Sequence, residues 1–394
     1  MTSAGRPRAV VIGAGIGGLA ATAGLCAAGW DVSAFERAAS LEPVGAGLGL
    51  APNGLRALDA LGAGDAVRAH AVDEELGMRR SDGRWLLRST NGQMVADRFG
   101  DPIILLPRAS LIDALAGLIP PGVLSLSAEV TSVSADGHVE TPAGPIDADL
   151  VVAADGIRSA ARAALFPGHS ELAYSGFTTW RFITPVLDGA ALEMSETWGR
   201  GLIFGVMPMA GGRVYCYATA PAPPGAGAPG GDELAELKEL FGGWHEPIGS
   251  LLGTISPEAV LRLDVSELAR PLPSFCVGRV AFLGDAAHPM TPNLGQGACQ
   301  ALEDAVTLAR LATGANGSAV PSVLERYSAA RLPRTQMIVR RSRQFATMST
   351  WRSPVAVALR DSLTAVLGKV ATGAMLSGLA PVLDWHPPSP RQAE

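Results

Sequence analysis

The fold is decided by the stretch Ala9-Val10-Val11-Ile12-Gly13-Ala14-Gly15-Ile16-Gly17-Gly18, which is followed by a second apolar strand and then by Glu36. A strand, a Gly-x-Gly-x-x-Gly turn and an Ala-rich helix in this order are typical of a dinucleotide site. Gly13 permits the tight turn, Gly15 lets the backbone approach a pyrophosphate, and Gly18 lets the helix pack close to the strand. Glu36 lies about 20 residues further on, where a carboxylate accepts from ribose hydroxyls. The sequence therefore predicts a Rossmann-like nucleotide-binding unit.

Length, charge and cysteine usage narrow the class of protein. The chain has 394 residues, 48% of them hydrophobic, and a formal net charge of −6. This length favours two domains, and the acidic balance argues against a nucleic-acid partner. The four cysteines are scattered without a Cys-x-x-Cys pair, so we expect no metal site and a reducing, cytoplasmic location. No apolar run is long enough to cross a bilayer, so we expect no stable membrane insertion.

The pattern of elements changes along the chain. The apolar strands Asp149–Ala153 and Val280–Leu283 flank aromatic-rich segments that are separated by Gly and Pro. These segments, at 177–186, 193–198, 201–209 and 213–220, predict an antiparallel sheet. The stretch Trp85–Phe99 alternates weakly and predicts a hairpin around Asn91-Gly92. Helices are predicted at 297–311, 321–345 and 354–378. The fold class is therefore α/β, with an inserted antiparallel sheet and a helical C-terminal tail.

Three separated segments, in their order and spacing, resemble the single-component FAD-dependent aromatic hydroxylases, the group A flavoprotein monooxygenases. They are Gly13–Gly18 with Glu36-Arg37, Ala153–Ser159, and Gly284–Pro289 running to Gly297. Cys299 and the run Gly176–Arg181 are similar to the branch that contains flavoprotein urate hydroxylases and zeaxanthin epoxidases. Phe182 departs from that branch, which usually has Gly there. The resemblance covers nearly the whole chain.

The resemblance implies a division of the chain into three regions. The FAD-binding domain would be discontinuous and take residues 1–72, 99–170 and 271–335. The substrate-binding sheet domain would take 73–98 and 171–270, and the C-terminal helical region 336–394. The helical tail is expected to cap the substrate domain, and a peripheral membrane role for lipophilic substrates is the alternative.

The resemblance also implies a reaction. NADH or NADPH reduces FAD, dioxygen adds at flavin C4a, and the hydroperoxide delivers one oxygen atom to an aromatic or heteroaromatic small molecule. The expected assembly is a monomer or a homodimer. The Ala- and Arg-rich composition is typical of GC-rich bacteria, in which such enzymes often serve secondary metabolism. An alkene epoxidase, a flavoprotein of the same fold without oxygen insertion, and a nucleotide-binding module without catalysis are the alternatives.

The expected cofactor contacts come from the motifs and from the resemblance. Asp285 follows a buried strand, so its carboxylate can accept from a ribityl hydroxyl; the alternative is a helix N-cap. The loop 292–297 offers glycines and N–H groups to the flavin ring, and the resemblance places Pro292 in the oxygen-reaction pocket. The full predicted set is Gly13, Ala14, Gly15, Gly18, Glu36, Arg37, Arg108, Val130, Asp155, Asp285, Gly295, Gln296 and Gly297.

Candidate substrate contacts lie on the inserted sheet. They are Trp180, Arg181, Trp198, Phe204, Met207, Tyr215 and Tyr217. Strand alternation places Tyr215 and Tyr217 on one face, and ordinary core packing is the alternative for each aromatic residue. Arg181 is a charge inside an apolar strand, where unpaired burial is costly. With Pro292 it forms the predicted catalytic set, holding substrate or flavin; the alternative is an outward-facing arginine.

Overall fold

The computed structural model describes residues 6–41, 47–72, 77–88, 94–187, 192–370 and 372–389. The strands are β1 (Arg8–Ile12), β2 (Asp31–Phe35), β3 (Gly47–Leu50), β4 (Gly77–Arg80), β5 (Trp85–Arg88), β6 (Ile104–Pro107), β7 (Leu124–Ser125), β8 (Ser132–Val133), β9 (His138–Thr141), β10 (Gly144–Asp147), β11 (Leu150–Ala153), β12 (Leu172–Ile183), β13 (Ser195–Trp198), β14 (Ile203–Pro208), β15 (Val214–Pro221), β16 (Leu261–Leu268), β17 (Cys276–Val277) and β18 (Val280–Phe282).

The helices are α1 (Ile16–Ala27), α2 (Pro52–Leu61), α3 (Gly64–Arg68), α4 (Met94–Phe99), α5 (Arg108–Ala116), α6 (Ala160–Leu165), α7 (Glu233–Phe241), α8 (Ile248–Leu252), α9 (Gly297–Ala312), α10 (Val320–Ser349), α11 (Pro354–Val370) and α12 (Thr372–Leu383). Within the described ranges, no helix is long and apolar enough to cross a membrane.

The nucleotide sheet has the strand order β17-β18-β11-β1-β2-β7. Strand β1 pairs in parallel with both β2 and β11, and β11 pairs in parallel with β18. Residues Ala9 to Ile12 are buried, which explains why this strand is a continuous apolar run without alternation. Because the carboxyl ends of parallel strands meet at one edge, the turns after β1, β11 and β18 come together there.

The second sheet has the order β16-β12-β15-β14-β13-β4-β5, antiparallel except where β13 meets β4. One face packs against α7 and α8 through a core that contains Phe182, Phe204 and Phe241. The opposite face packs through Met207 and Tyr215 onto Leu105 of β6, beside the nucleotide sheet. The predicted α/β fold with an inserted antiparallel sheet and a helical C-terminal region is confirmed.

The hairpin predicted within Trp85–Phe99 is wrong. Strand β5 pairs with the preceding β4 instead, and Met94–Phe99 is helix α4. The turn expected at Asn91-Gly92 lies outside the described residues. The misreading arose because β5 needs a partner, and weak alternation alone does not say on which side in sequence that partner lies.

Candidate active site

The glycine turn after β1 has three glycines with different steric demands. Gly13 has φ +96°, and a Cβ there would lie 2.5 Å from the carbonyl oxygen of Ala154. A Cβ at Gly18 would lie 1.9 Å from the carbonyl oxygen of Gly13. A Cβ at Gly15 would meet no atom within 4 Å. Gly13 and Gly18 are therefore required by the turn itself, whereas the open space at Gly15 suits a bound pyrophosphate.

Glu36 lies at the tip of β2, directly beside this turn. Its carboxylate accepts from the backbone N–H of Ala14 at 2.7 Å and from that of Ala38 at 2.9 Å. Each carboxylate oxygen has a second lone pair, so both retain capacity for a ribose hydroxyl. Arg37 is exposed next to it. Val130 packs against the hydrophobic core that surrounds β1 and α1. These positions fit the adenosine half of a dinucleotide.

Two acidic side chains follow the neighbouring strands. Asp155 accepts from the N–H of Ala161 through Oδ2 at 3.1 Å, and its Oδ1 is buried without a hydrogen-bond partner. Asp285 is exposed in the turn Gly284–Ala286, whose N-cap is Leu283, so Asp285 does not cap it. Both carboxylates therefore retain free acceptor atoms at the edge where the strands end.

Two arginines converge on the same place. Arg108 begins α5, and burial lowers its pKa, while Asp285 raises it and Arg181 lowers it further. Three charges from α5, β12 and the turn after β18 therefore lie within electrostatic reach of one another. Within the described part of the chain, neither guanidinium forms an ion pair or hydrogen bond. Arginine donors left free in this way suit a polar ring with carbonyl oxygens.

The loop before α9 forms an open backbone surface. Gly295 has φ +61°, and a Cβ at Gly295 or Gly297 would meet no atom within 4 Å. Pro292 is half-buried at the start of the loop. The side chain of Gln296 points into the protein, where its Oε1 accepts from Asn53 Nδ2 at 2.8 Å. Only the backbone of Gln296 is therefore left for a cofactor.

A buried ionic network joins α9, α10 and the turn at Gly284, and sequence reasoning missed it. Arg331 of α10 donates through Nε to Asp304 Oδ1 of α9 at 2.6 Å and pairs with Glu303; all three are at most 1% exposed. Asp304 also accepts from the N–H of Gly284 at 3.0 Å and contacts His288. Burial would raise the pKa of Asp304, but His288 and Arg331 hold it below its ordinary value. The detectable signal was the pair Glu303-Asp304 inside an apolar helix.

The strand register decides which predicted substrate contacts share a face. Residues that pair across neighbouring strands lie on the same face of a sheet. Arg181 of β12 pairs with Tyr217 of β15, and Tyr217 pairs with Gly205 of β14, so these three positions share one face. Tyr215 lies two residues from Tyr217 on this face, with a ring distance of 5.9 Å, and pairs with Met207. We call this side of the second sheet the polar face.

Trp180 and Phe204 do not belong to the polar face. Both are fully buried in the core between the sheet and helices α7 and α8. The indole Nε1 of Trp180 donates to Glu233 Oε2 of α7 at 2.7 Å. Their placement corrects the prediction that they line the substrate wall, because their strand positions direct them to the other side of the sheet.

Glu196 of β13 is a polar-face residue that sequence reasoning missed. Its Oε1 accepts from the hydroxyl of Tyr217 at 2.9 Å, and its Oε2 accepts from Trp198 Nε1 at 2.9 Å. Burial raises the pKa of Glu196, although these two hydrogen bonds act in the opposite direction. The carboxyl thereby orients both predicted aromatic residues. A Glu between Ser and Thr in a strand gave no signal of its own.

Asp285→Ala tests the assignment of this carboxylate. We expect it to weaken FAD binding by about 1–3 kcal/mol, because the flavin side chain loses an acceptor for a hydroxyl. The dissociation constant can be measured by flavin fluorescence on apoprotein, with Asp264→Ala on the second sheet as the control. An unchanged dissociation constant would show that Asp285 does not contact the cofactor.

Comparisons with known proteins match most of the chain. The family model described as FAD binding domain matches residues 7–117 and 120–342. Aurachin C monooxygenase/isomerase of Stigmatella aurantiaca is 36% identical over 364 residues, covering 90% of this chain and 92% of that protein. The 3-amino-4-hydroxybenzoate 2-monooxygenase of Streptomyces cremeus is 34% identical and covers 86% of both chains.

A solved structure agrees over the same extent. Klebsiella pneumoniae HpxO complexed with FAD and uric acid matches with a TM-score of 0.87 and 26% identity, covering 96% of this chain and 97% of that chain. Similarity of this kind extends over nearly the whole chain and includes the glycine turn, the two acidic turns and the second sheet. The chain therefore belongs to the FAD-dependent aromatic hydroxylases, the group A flavoprotein monooxygenases.

Proposed function

We propose that this chain uses FAD, NADH or NADPH, and dioxygen to insert one oxygen atom into an aromatic or heteroaromatic small molecule. One observation carries the proposal: Arg108, Asp285 and the Arg181 end of the polar face lie within electrostatic reach of one another. Residues suited to the flavin thus meet a sheet face suited to a ring substrate. The compared proteins support the ring class, since their names include an aminohydroxybenzoate and uric acid.

The residues divide the work between cofactor and substrate. The glycine turn, Glu36 and Asp285 would hold the phosphates, ribose and ribityl chain of FAD. Bound FAD supplies the two-electron and oxygen chemistry. The loop at Pro292–Gly297 would place backbone N–H groups against the ring edge, where they stabilise negative charge. Pro292 itself would limit access of water from that side.

The polar face would orient the substrate above the ring. Tyr215, Met207 and Trp198 provide a largely apolar wall, and such a wall excludes water. Arg181 would donate to an anionic or carbonyl group of the substrate. Tyr217 donates its own proton to Glu196, so its oxygen lone pairs remain available to accept from a substrate hydroxyl or amino group. The substrate class is therefore a ring that carries both an acceptor and a donor.

We include the finer assignments in the same proposal. The domain limits given above would separate the nucleotide sheet from the second sheet. All four cysteines are free thiols, which supports a reducing, cytoplasmic setting. The role in secondary metabolism rests on the Ala- and Arg-rich composition, which is typical of GC-rich bacteria.

The proposal is tested by reaction stoichiometry. Purified holoprotein is mixed with NADH or NADPH and a panel of hydroxylated, aminated or carboxylated ring compounds, and cofactor oxidation, dioxygen uptake and hydrogen peroxide are recorded together. We expect a substrate that stimulates oxidation and gains one oxygen atom by mass spectrometry. Stimulated oxidation in which all dioxygen returns as peroxide would instead indicate an oxidase or reductase.

Arg181→Ala tests the substrate contact separately from the cofactor contact. We expect full FAD content, because the main cofactor contacts remain, but a fall of roughly tenfold or more in substrate-stimulated turnover from the lost charge-assisted bond. Peroxide release per NAD(P)H should rise because the substrate is held less well. Arg213→Ala, at an exposed arginine in the turn between β14 and β15, is the matched control. A fully coupled Arg181→Ala enzyme would refute the assignment.

A further inference from the structure

Helix α11 presents apolar side chains to solvent and charged side chains to the protein. Arg360 and Asp361 are only 4% and 5% exposed. The outward stripe consists of Val355 (78% exposed), Leu359 (57%), Leu363 (53%), Val366 (57%) and Leu367 (45%). A helix on the surface of a globular protein normally has the reverse arrangement. A contiguous exposed apolar stripe of this kind marks an interaction surface.

The orientation of α11 is held by its buried pair. Arg360 donates from Nη2 to the carbonyl oxygen of Gly199 at 3.2 Å. Its guanidinium carbon lies 5.0 Å from the centre of the Trp198 ring. Asp361 accepts from Arg360 Nε at 2.9 Å and lies 3.7 Å from Arg80 of β4. Turning the stripe inward would break the contacts that this pair makes with Gly199, Trp198 and Arg80. The outward stripe is therefore a stable feature of the fold.

The exposed surface around α11 carries more cations than anions, although the whole chain has a net charge of −6. Arg352 is exposed just before the helix, and Arg80, Arg84 and Arg88 are exposed on β4, β5 and the turn between them, next to which α11 packs. Asp82 and Glu193 are the carboxylates that pair with them. Basic residues around an apolar helical stripe are the combination that binds anionic lipid.

One aromatic residue extends the apolar surface beyond the amino end of α11. Trp351 is 38% exposed. An indole is favoured at the level of the lipid headgroups, where its apolar body and its polar N–H are both satisfied. Its position next to Arg352 places ring and cation together at the same end of the stripe.

We propose that α11 and its basic flank bind the surface of an anionic lipid bilayer, with the stripe lying in the headgroup region. A second copy of the chain fits less well. A two-fold contact would bring two net basic surfaces together, and a stripe about 18 Å long and one helix wide falls short of the ~800 Å² per partner of a stable interface. The proposal is independent of the proposed reaction.

Vesicle co-sedimentation tests this surface with the FAD-loaded full-length chain. One set of vesicles is pure phosphatidylcholine, and the other contains phosphatidylcholine and phosphatidylglycerol in a three-to-one ratio. The variant is Leu359→Asp/Leu363→Asp, which places two charges in the stripe. The matched control is Leu263→Asp, an exposed leucine (43%) on β16. FAD content and far-UV circular dichroism verify that each variant is folded.

We expect the wild type to sediment with the anionic vesicles, to be released by salt, and to bind neutral vesicles at least roughly tenfold less. The double variant should lose at least roughly tenfold in binding, and the Leu263 control should match the wild type. Absence of binding to the anionic vesicles would overturn the proposal. So would equal binding by the double variant, or a solution dimer that the double variant dissociates, because a second copy would then cover the stripe.

Discussion

Gly15→Val is expected to give a folded protein that retains less than about a tenth of the normal FAD, because the side chain takes the space of the pyrophosphate. The structure sharpens this expectation, since a Cβ at Gly15 meets no protein atom within 4 Å. The substitution should therefore leave the apoprotein fold unchanged. FAD content is measured by absorbance after purification, and folding by far-UV circular dichroism of apoprotein.

Two comparisons make the test specific. Gly243→Val is the matched control, since a Cβ there also meets no atom within 4 Å and the position lies in the turn after α7. It should retain full FAD. Gly18→Ala should lose both FAD and stability, because its Cβ would lie 1.9 Å from the carbonyl oxygen of Gly13. Full FAD content in Gly15→Val would mean that the turn does not bind the pyrophosphate.

Arg331→Met is expected to lower the free energy of unfolding by about 3 kcal/mol, the low end for a broken buried ion pair, because Glu303 then keeps only Arg334 and Asp304 only His288 as ionic partners. Burial would lower the pKa of Arg331, but the two carboxylates raise it overall, so the group is charged in the folded protein. Methionine keeps much of the apolar stem and removes the charge. Urea denaturation of the apoprotein measures the change without a contribution from bound cofactor.

Arg340→Met provides the control on the same helix. Arg340 is exposed, so its removal should change the free energy of unfolding by less than about 0.5 kcal/mol. The Arg331 variant should also bind FAD more weakly, because Asp304 holds the N–H of Gly284, next to Asp285. Equal stability of the two variants would show that the network does not hold α9 and α10 together.

Much of the nucleotide site could be predicted because its chemistry is local. Gly13 must adopt a positive φ, and Gly18 must leave room for the carbonyl oxygen of Gly13. Glycines at these two positions therefore indicate the turn in the sequence. Glu36 and Asp285 follow apolar strands, and parallel strands end at a common edge. The resemblance to a flavoprotein family added the substrate role of the second sheet and the reaction, and the family and the fold are confirmed.

The substrate sheet could be predicted as a sheet but not as a surface. Trp180 and Arg181 are neighbours in sequence, yet one packs under α7 and the other faces the nucleotide sheet. Alternation says only that their side chains point to opposite sides of the sheet. It does not say which side a helix covers, because the covering helix α7 is distant in sequence: Glu233, which binds Trp180, lies 53 residues further along the chain. Glu196 carried no motif, and its role follows from the register that brings it to Tyr217.

By itself, the sequence determined the glycine turn, the acidic residues that follow β2, β11 and β18, and the order of the elements, because each depends on backbone conformation and burial over a few neighbouring residues. Only the tertiary structure decided which side chains share the polar face, which carboxylates are paired with Arg331, and that α11 exposes its leucines. These outcomes depend on partners distant in sequence. Whether a charged side chain is buried and paired, or a leucine is exposed, depends on the residues that pack around it.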